Sequence, residues 1–496
     1  MKKLLLLFII SPILLFSQAQ IGLDIDGEVA GDYSGHSVSL SSDGSVIAIG
    51  AIAEGSSGSN AGYVSIYRNQ DGVWTQIGQD IEGETAGDRS GFSVSLSSDG
   101  SVVAIGAVGY SFSTGHVRIY SNPNLNGVWT QVGQDIIGEV LGESSGRSIS
   151  LSSDGSVVAI GAPFNRNGPV NSPGNVRIYS NPNLNGIWTQ IGSDIDGEAT
   201  NDLSGWQVSL SSDGSVVAIG ATQNNGNGSN SGHVRIFSNP NLNGEWTQVG
   251  QDIDGETTGD FSGSSLSLSS DGNVVAIGAH LNDGNGTESG HVRIYRNLNE
   301  VWTQIGLDID GEAASDQSGF SVSLSSDGSV VAIGAPFTNG EFTIDFGHVR
   351  IYRNQSEVWT KIGSDIDGEA SPDQSGYSVS LSSDGSVVAI GTPFNDGNGS
   401  NSGHVRVYDL SSEILGVSDD FVLSQVSIYP NPAKNSVIIE LKEGLELQNI
   451  NIYNNLGQFI STTKKVKVDT SNLTTGLYFL EIKTNIGNAS KKLIIE

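Results

Sequence analysis

The chain has 496 residues, with 54 acidic and 23 basic side chains, a formal net charge of −31 and no cysteine. Such an acidic surface repels nucleic acid and anionic lipid, so nucleic-acid binding is the first function to exclude. Without cysteine there are no disulfides, no thiolate metal sites and no cysteine nucleophile.

In chain order, Lys2 and Lys3 precede an apolar stretch from Leu4 to Phe16 and a small-x-small site at Ser17-Gln18-Ala19. This pattern predicts a secretory signal over residues 1–19, too short to span a bilayer comfortably, and no later segment reads as a membrane helix. From Gln20 to about Gly416 one segment recurs seven times. Its core is S-x-S-L-S-S-D-G-x-V-x-A-I-G, with the aspartate at Asp43, Asp99, Asp154, Asp213, Asp271, Asp327 and Asp384. The intervals are 56, 55, 59, 58, 56 and 57 residues, and a tryptophan keeps the same beat at Trp74, Trp129, Trp188, Trp246, Trp302 and Trp359. A fixed period of this size predicts an array of one supersecondary unit.

Each copy reads as four short strands. In the second, Ser93-Val94-Ser95-Leu96 alternates, Ser98-Asp99-Gly100 turns, and Val102–Gly106 is a β-branched run suited to burial on both faces. His116–Tyr120 alternates again, and Val128–Val132 supplies the fourth strand. Seven copies without helical period predict an all-β fold, a seven-bladed β-propeller over residues 20–416. A β-solenoid is the competing architecture, but its coils are shorter. Residues 20–25 match the tail of a fourth strand and the last copy thins out near Ile414-Leu415, so the N-terminal segment is expected to complete the last blade. The propeller is expected to be monomeric.

The order S-G-x-S-V-S-L, V-A-I-G-A-P (Gly161-Ala162-Pro163, Gly334-Ala335-Pro336) and G-H-V-R-I-Y resembles the FG-GAP repeats of integrin-α-like propellers. It lacks that family's D-x-D-x-D-G-x-x-D loop, so the family's calcium ligands do not carry over to Asp99 and its equivalents. Residues 425–496, beyond an expected linker at 417–424, resemble a type A C-terminal sorting domain of the type IX secretion system. The resemblance rests on Tyr429-Pro430-Asn431-Pro432, Ile450–Gln458, Leu473–Phe479 and Lys491–Ile495. It implies a Bacteroidota-type bacterium, recognition by the type IX machinery, and release or attachment at the cell surface after periplasmic transit. Alternating strands between Asn/Gly turns predict a small β-sandwich there.

The richest constellation is D-I-D-G-E-x-x-x-D. It comprises Asp24, Asp26, Glu28 and Asp32; Asp80, Glu82, Glu84 and Asp88; Asp194, Asp196, Glu198 and Asp202; and Asp252, Asp254, Glu256 and Asp260. It continues with Asp308, Asp310, Glu312 and Asp316, and with Asp365, Asp367, Glu369 and Asp373, while the third copy keeps Asp135, Glu139 and Glu143. Carboxylates so spaced suit a loop around a hard cation such as Ca²⁺, and equally a turn whose acids cap backbone N–H groups. Strand connectivity places these loops on one face. One residue beside the first strand varies from copy to copy: His36, Phe92, Arg147, Trp206, Ser264, Phe320 and Tyr377. Five histidines at one repeat position (His116, His233, His291, His348, His404) and the tryptophans read as structural. Gly142-Glu143-Ser144-Ser145-Gly146 matches G-x-S-x-G but precedes a strand, so it is no nucleophile elbow. The expectation is a non-enzymatic, exported propeller that recognises a protein or glycan through its acidic, loop-rich face. A polysaccharide-active enzyme and a structural spacer are the alternatives.

Overall fold

The computed structural model describes residues 18–53, 55, 57–167, 172–337, 346–411, 426–442, 447–454, 459–484 and 487–495. The expected signal (all but its last two residues) and the whole 417–424 linker lie outside them. The chain divides into two compact units, of which the larger spans Ser17–Leu410 and the described part of the smaller begins at Ser411. Among the described residues helical assignment is confined to the single turn Tyr110–Ser113, left-handed at Ser111 and Phe112, and to Ser411.

The larger unit consists of seven antiparallel sheets. In the first, Ser37–Leu40, Val46–Ala51, Tyr63–Gln70 and Val73–Gln76 pair in sequence order, and Ile81–Glu82 returns alongside the third strand. Every residue of Val46–Ala51 is buried, as are those of Val102–Ala107 and Val157–Ala162, so these β-branched runs are sandwiched between neighbouring blades. One such layer joins Val102, Ala104, Val117 and Ile119 to Ile149, Leu151, Val158 and Ile160 of the next blade. Each isoleucine so buried contributes about 1.5–3 kcal/mol.

The blades are tied edge to edge around the axis. The amide of Leu40 donates to Ser380 Oγ (3.0 Å), that of Leu96 to Ser39 Oγ (3.0 Å), and the pattern continues through Leu151, Leu210, Leu268, Leu324 and Leu381. A second ring uses backbone alone. Ser42, Ser98, Ser153, Ser212, Ser270, Ser326 and Ser383 each donate N–H to the next carbonyl, and the last returns to Ser42 at 2.9 Å. The recurring glycine of A-I-G permits this closeness: an added Cβ at Gly161 would lie 2.1 Å from the Gly205 carbonyl oxygen of the neighbouring blade.

Farther out, each tryptophan clasps the preceding blade. Trp129 Nε1 donates to the Ile77 carbonyl (2.9 Å), and Trp74 Nε1 reaches Ile21 (2.8 Å). Each S-D-G turn is held by its aspartate, as where Asp99 accepts from the Ser101 amide (2.9 Å) and from Ser97 Oγ (2.8 Å).

Closure joins the two ends of the repeat array. Ala19 and Gln20 pair with Asp409 and Tyr408, Ile21 N–H donates to Val407 (2.7 Å), and Ile25 and Asp26 pair with Val405 and His404. The last blade therefore takes its outer strand from the start of the chain.

The C-terminal unit has a three-stranded sheet (Val426–Tyr429, Ser436–Leu441, Lys467–Asp469) and a four-stranded one (Phe459–Thr463, Leu447–Asn454, Gly476–Thr484, Gly487–Ile495). Val437, Ile439, Ile450, Ile452, Leu480 and Leu493 form one core between them, a small sandwich. The motif residue Asn431 pins the final strand, donating to the Lys492 carbonyl (2.7 Å) and accepting from the Ile494 amide (2.9 Å).

Removing residues 20–26 deletes the buried Ile25, the partly buried Ile21 and a run of strand hydrogen bonds, a loss of roughly 5 kcal/mol. It also exposes a sheet edge. Thermal denaturation with light scattering should show a lower Tm and self-association; a monomeric truncation with the parental Tm would contradict closure by this segment.

Candidate functional site

The acidic loops follow the outer strands and run to the start of each innermost strand, so they share the face on which those innermost strands begin. Their four carboxylates go different ways. The first accepts from a glutamine four residues earlier, as in Gln76–Asp80 (2.7 Å), Gln248–Asp252 (2.6 Å) and Gln304–Asp308 (2.6 Å), or from Lys361 at Asp365 (2.7 Å). The third lies on the short strand beside the blade's third strand. Burial and the adjoining first carboxylate raise the pKa of Asp26, Asp196, Asp254, Asp310 and Asp367.

The fifth, a glutamate, faces an arginine of the next blade: Arg177–Glu139 (3.3 Å), Arg235–Glu198 (3.3 Å), Arg293–Glu256 (3.6 Å), Arg350–Glu312 (2.6 Å) and Arg406–Glu369 (3.6 Å). The ninth is buried and accepts backbone N–H groups inside its own loop, as Asp88 does from Glu84 and Thr85 (2.8 Å each) and Asp316 from Ala313 (2.8 Å). Asp32, Asp202, Asp260 and Asp373 do the same from Val29, Ala199, Thr257 and Ala370.

What the structure gathers instead is one histidine, one first carboxylate and one fifth glutamate. The sets are Asp24, Glu369 and His404; Glu84, His116 and Asp135; Glu198, His233 and Asp252; and Glu256, His291 and Asp308, each with ligand atoms within 4.8 Å of one another. The cation beside each glutamate, such as Arg406 at Glu369, competes with a metal for that oxygen.

The seven variable residues meet elsewhere. His36, Phe92, Arg147, Trp206, Ser264, Phe320 and Tyr377 line one cavity of ≈ 300 Å³ on the propeller axis, at the acidic-loop end of the innermost strands. They form a nearly continuous belt. His36 lies 4.8 Å from Phe92 and 5.3 Å from Tyr377, and Phe320 lies 5.0 Å from Tyr377. The Arg147 guanidinium sits 3.6 Å over the Trp206 ring and 5.4 Å from Phe92. His280 closes another segment, with its ring 5.6 Å from Phe320 and its Nδ1 2.8 Å from Ser264 Oγ. Burial holds His36 and His280 near a pKa of about 4, so both rings are neutral at pH 7. Among the described residues no aspartate or glutamate lines the cavity. The opposite end of the axis is lined only by a leucine and a serine from each blade, from Leu40 and Ser42 to Leu381 and Ser383, and so carries no variation.

His280 was missed in the sequence, although the signal is there. The position after A-I-G-A (A-I-G-T in the last copy) holds Ile52, Val108, Pro163, Thr222, Pro336 and Pro393 in the other copies, and histidine in this copy alone.

Residues 427–496 match the family described as the secretion system C-terminal sorting domain. The chain is thus exported by type IX secretion, to be released or attached at the cell surface. No helix among the described residues is long and apolar enough to cross a membrane. No curated protein matches the chain. Among solved structures, a protein described as a candidate 6-phosphogluconolactonase from Bacteroides uniformis is 13% identical, with a TM-score of 0.48, covering 68% of this chain and 87% of its own. The periplasmic gluconolactonase of Pseudomonas aeruginosa is 12% identical, with a TM-score of 0.47, covering 90% of this chain and 98% of its own. These likenesses concern the fold alone. They correct one expectation, that the chain is not an enzyme: the propellers it resembles are described as lactonases, so the repetitive sequence is no ground for excluding catalysis.

Protonation should destabilise the propeller. Burial lowers His36, His280 and His348 to about 4, and burial together with an adjacent arginine lowers His116, His233, His291 and His404. An unfolded histidine protonates near pH ~6.5, so this contribution is complete above that pH and is lost as pH falls toward the folded values. The raised loop carboxylates oppose the trend. The turn aspartates, such as Asp99 and Asp271, are buried in part but held low by serine hydroxyls and backbone amides, and they extend the loss to lower pH. Tm should fall between pH 7 and pH 4, with a shallower slope in His280→Asn; a Tm that holds or rises on acidification would contradict this.

Proposed function

We propose that the chain is an exported propeller that recognises one sugar ring of an extracellular glycan in its axial cavity. The observation that carries this reading is the convergence, on one end of the axis, of the seven residues that differ from copy to copy at one position beside the innermost strand. Their chemistry suits a pyranose: aromatic faces from Phe92, Trp206, Phe320 and Tyr377 for its C–H surfaces, and His36, Ser264 and His280 for its hydroxyls. A cavity of ≈ 300 Å³ holds about one ring. The acidic loops form the surround of this mouth in the proposal, the blades belong to the FG-GAP-like class on their motif order, and residues 1–19 serve as the export signal.

Glycan-array binding by the full chain should identify a ligand whose affinity drops about 10- to 100-fold in Tyr377→Ala and in Trp206→Ala, as loss of a stacking face requires. Replacing the rim residues Asp308, Asp310 and Glu312 by Asn, Asn and Gln should leave it within about threefold. The opposite ranking would move the site to the outer loops.

For the acidic loops we propose divalent-cation binding by the histidine–aspartate–glutamate sets. Ca²⁺ prefers six to eight oxygens, whereas an imidazole nitrogen suits transition metals better. Binding to the folded state at a hundredfold excess over Kd adds about 2.7 kcal/mol. A divalent ion should therefore raise Tm beyond NaCl at equal ionic strength, and Zn²⁺ should act at lower concentration than Ca²⁺. Equal Tm in chelator, NaCl and metal would leave these loops as capped turns.

A further inference from the structure

We infer that the axial cavity takes an anionic sugar, a ring bearing a carboxylate or sulfate, held by Arg147. This rests on the reading of the cavity as a sugar site and names its ligand class.

The propeller holds few cations, and the structure uses most of them in one way. The strand arginines Arg118, Arg177, Arg235, Arg293, Arg350 and Arg406 each face a loop glutamate. Arg296 faces Glu357, and Lys361 faces Asp365. Arg147 breaks this rule. It forms no ion pair among the described residues, its Nε is buried without a hydrogen-bond partner, and no carboxylate lines the cavity around it. Its guanidinium carbon sits 3.6 Å over the Trp206 ring, a contact that leaves its N–H groups to other partners. Burial pulls its pKa down to about 10, as it must for a cation without a counterion.

Arg89, on the adjacent blade, likewise forms no ion pair among the described residues; the others without one, such as Arg68 and Arg166, are exposed and away from the cavity. Arg89 lines with Arg147 and Phe92 a side pocket of ≈ 370 Å³ that shares those two residues with the axial cavity. Both arginines break the repeat: the positions equivalent to Arg89 hold Tyr33, Ser144, Leu203, Phe261, Gln317 and Gln374. In a body so rich in carboxylates, a partly buried guanidinium with no protein partner costs stability, and an arriving anion offsets that cost. The surrounding acidic loops would at the same time repel anions that lack a ring to bury, which biases the cavity toward a sugar acid over a bare ion.

The test is calorimetric titration of the full chain with matched pairs: glucose and glucuronate, galactose and galacturonate, mannose and mannuronate, with galactose 6-sulfate and inorganic sulfate as further arms. At least one acidic sugar should bind about 10- to 100-fold more tightly than its neutral partner, and Arg147→Gln should remove that preference. Arg147→Lys should restore only part of it, and Arg89→Gln should weaken it less. Because Arg147 has no protein counterion, Arg147→Gln should fold with an unchanged or higher Tm, which a structural arginine would not allow. Equal affinity for acidic and neutral members, or a preference that survives Arg147→Gln, would overturn the inference while leaving the sugar site in place. Binding of no sugar in any pair would overturn both. Inorganic sulfate binding as tightly as the acidic sugars would mean that the charge alone is read, and would also overturn the inference.

Discussion

The structure depends on the seven-fold ring of hydrogen bonds around the axis. The amides of Ser42, Ser98, Ser153, Ser212, Ser270, Ser326 and Ser383 donate in turn until the circle closes, and the serine hydroxyls one step along the innermost strands lock the neighbouring leucine amides. Each of these bonds is modest, about 1 kcal/mol net. Their effect is geometric, since a ring of fixed circumference allows one blade number and one radius. Every innermost strand must then present the same side-chain position to the axis, and this is why seven residues far apart in sequence share one cavity. The same constraint demands glycine at A-I-G, where neighbouring backbones approach too closely for any side chain.

Much of this was legible in the sequence because the repeat is an internal comparison. The strand count, the S-D-G turns, the clasping tryptophans and completion of the last blade by the N-terminal segment all follow from periodicity and phase, and the strand pairing places them so. The sandwich at the C-terminus was legible from alternating strands and its ordered motifs. The variable position beside the first strand was visible too, but its meaning was not. Sequence placed it on a face, and only ring closure turns seven positions around a face into one cavity.

The acidic loops were legible in part: backbone capping was one of the two readings, and the ninth carboxylate does cap its own loop. Four carboxylates in nine residues suggest one shell, yet in most copies only the third lies on a strand, and that strand is two residues long, so the turns on either side carry the others to separate partners. The loop's first and fifth carboxylates meet a histidine and an arginine from different strands, while the ninth turns inward to cap its own backbone. Spacing alone carries no information on the histidine and arginine partners, which come from other strands. Nor did the histidine that opens five of the seven third strands reveal that four of these rings would sit beside two carboxylates. The recurring strand arginine reads as ordinary alternation, although it neutralises much of the acidic face from below.

Seven differing residues at one repeat position thus meet at one mouth of the axis, where aromatic rings, two neutral histidines and an unpaired guanidinium come together. The most direct test is a crystal structure of the full chain soaked with the glycan that it binds most tightly. The account predicts density for one sugar ring inside the axial cavity, in contact with Tyr377 and Trp206. A ring seated on the outer acidic loops, with the cavity holding only solvent, would contradict it.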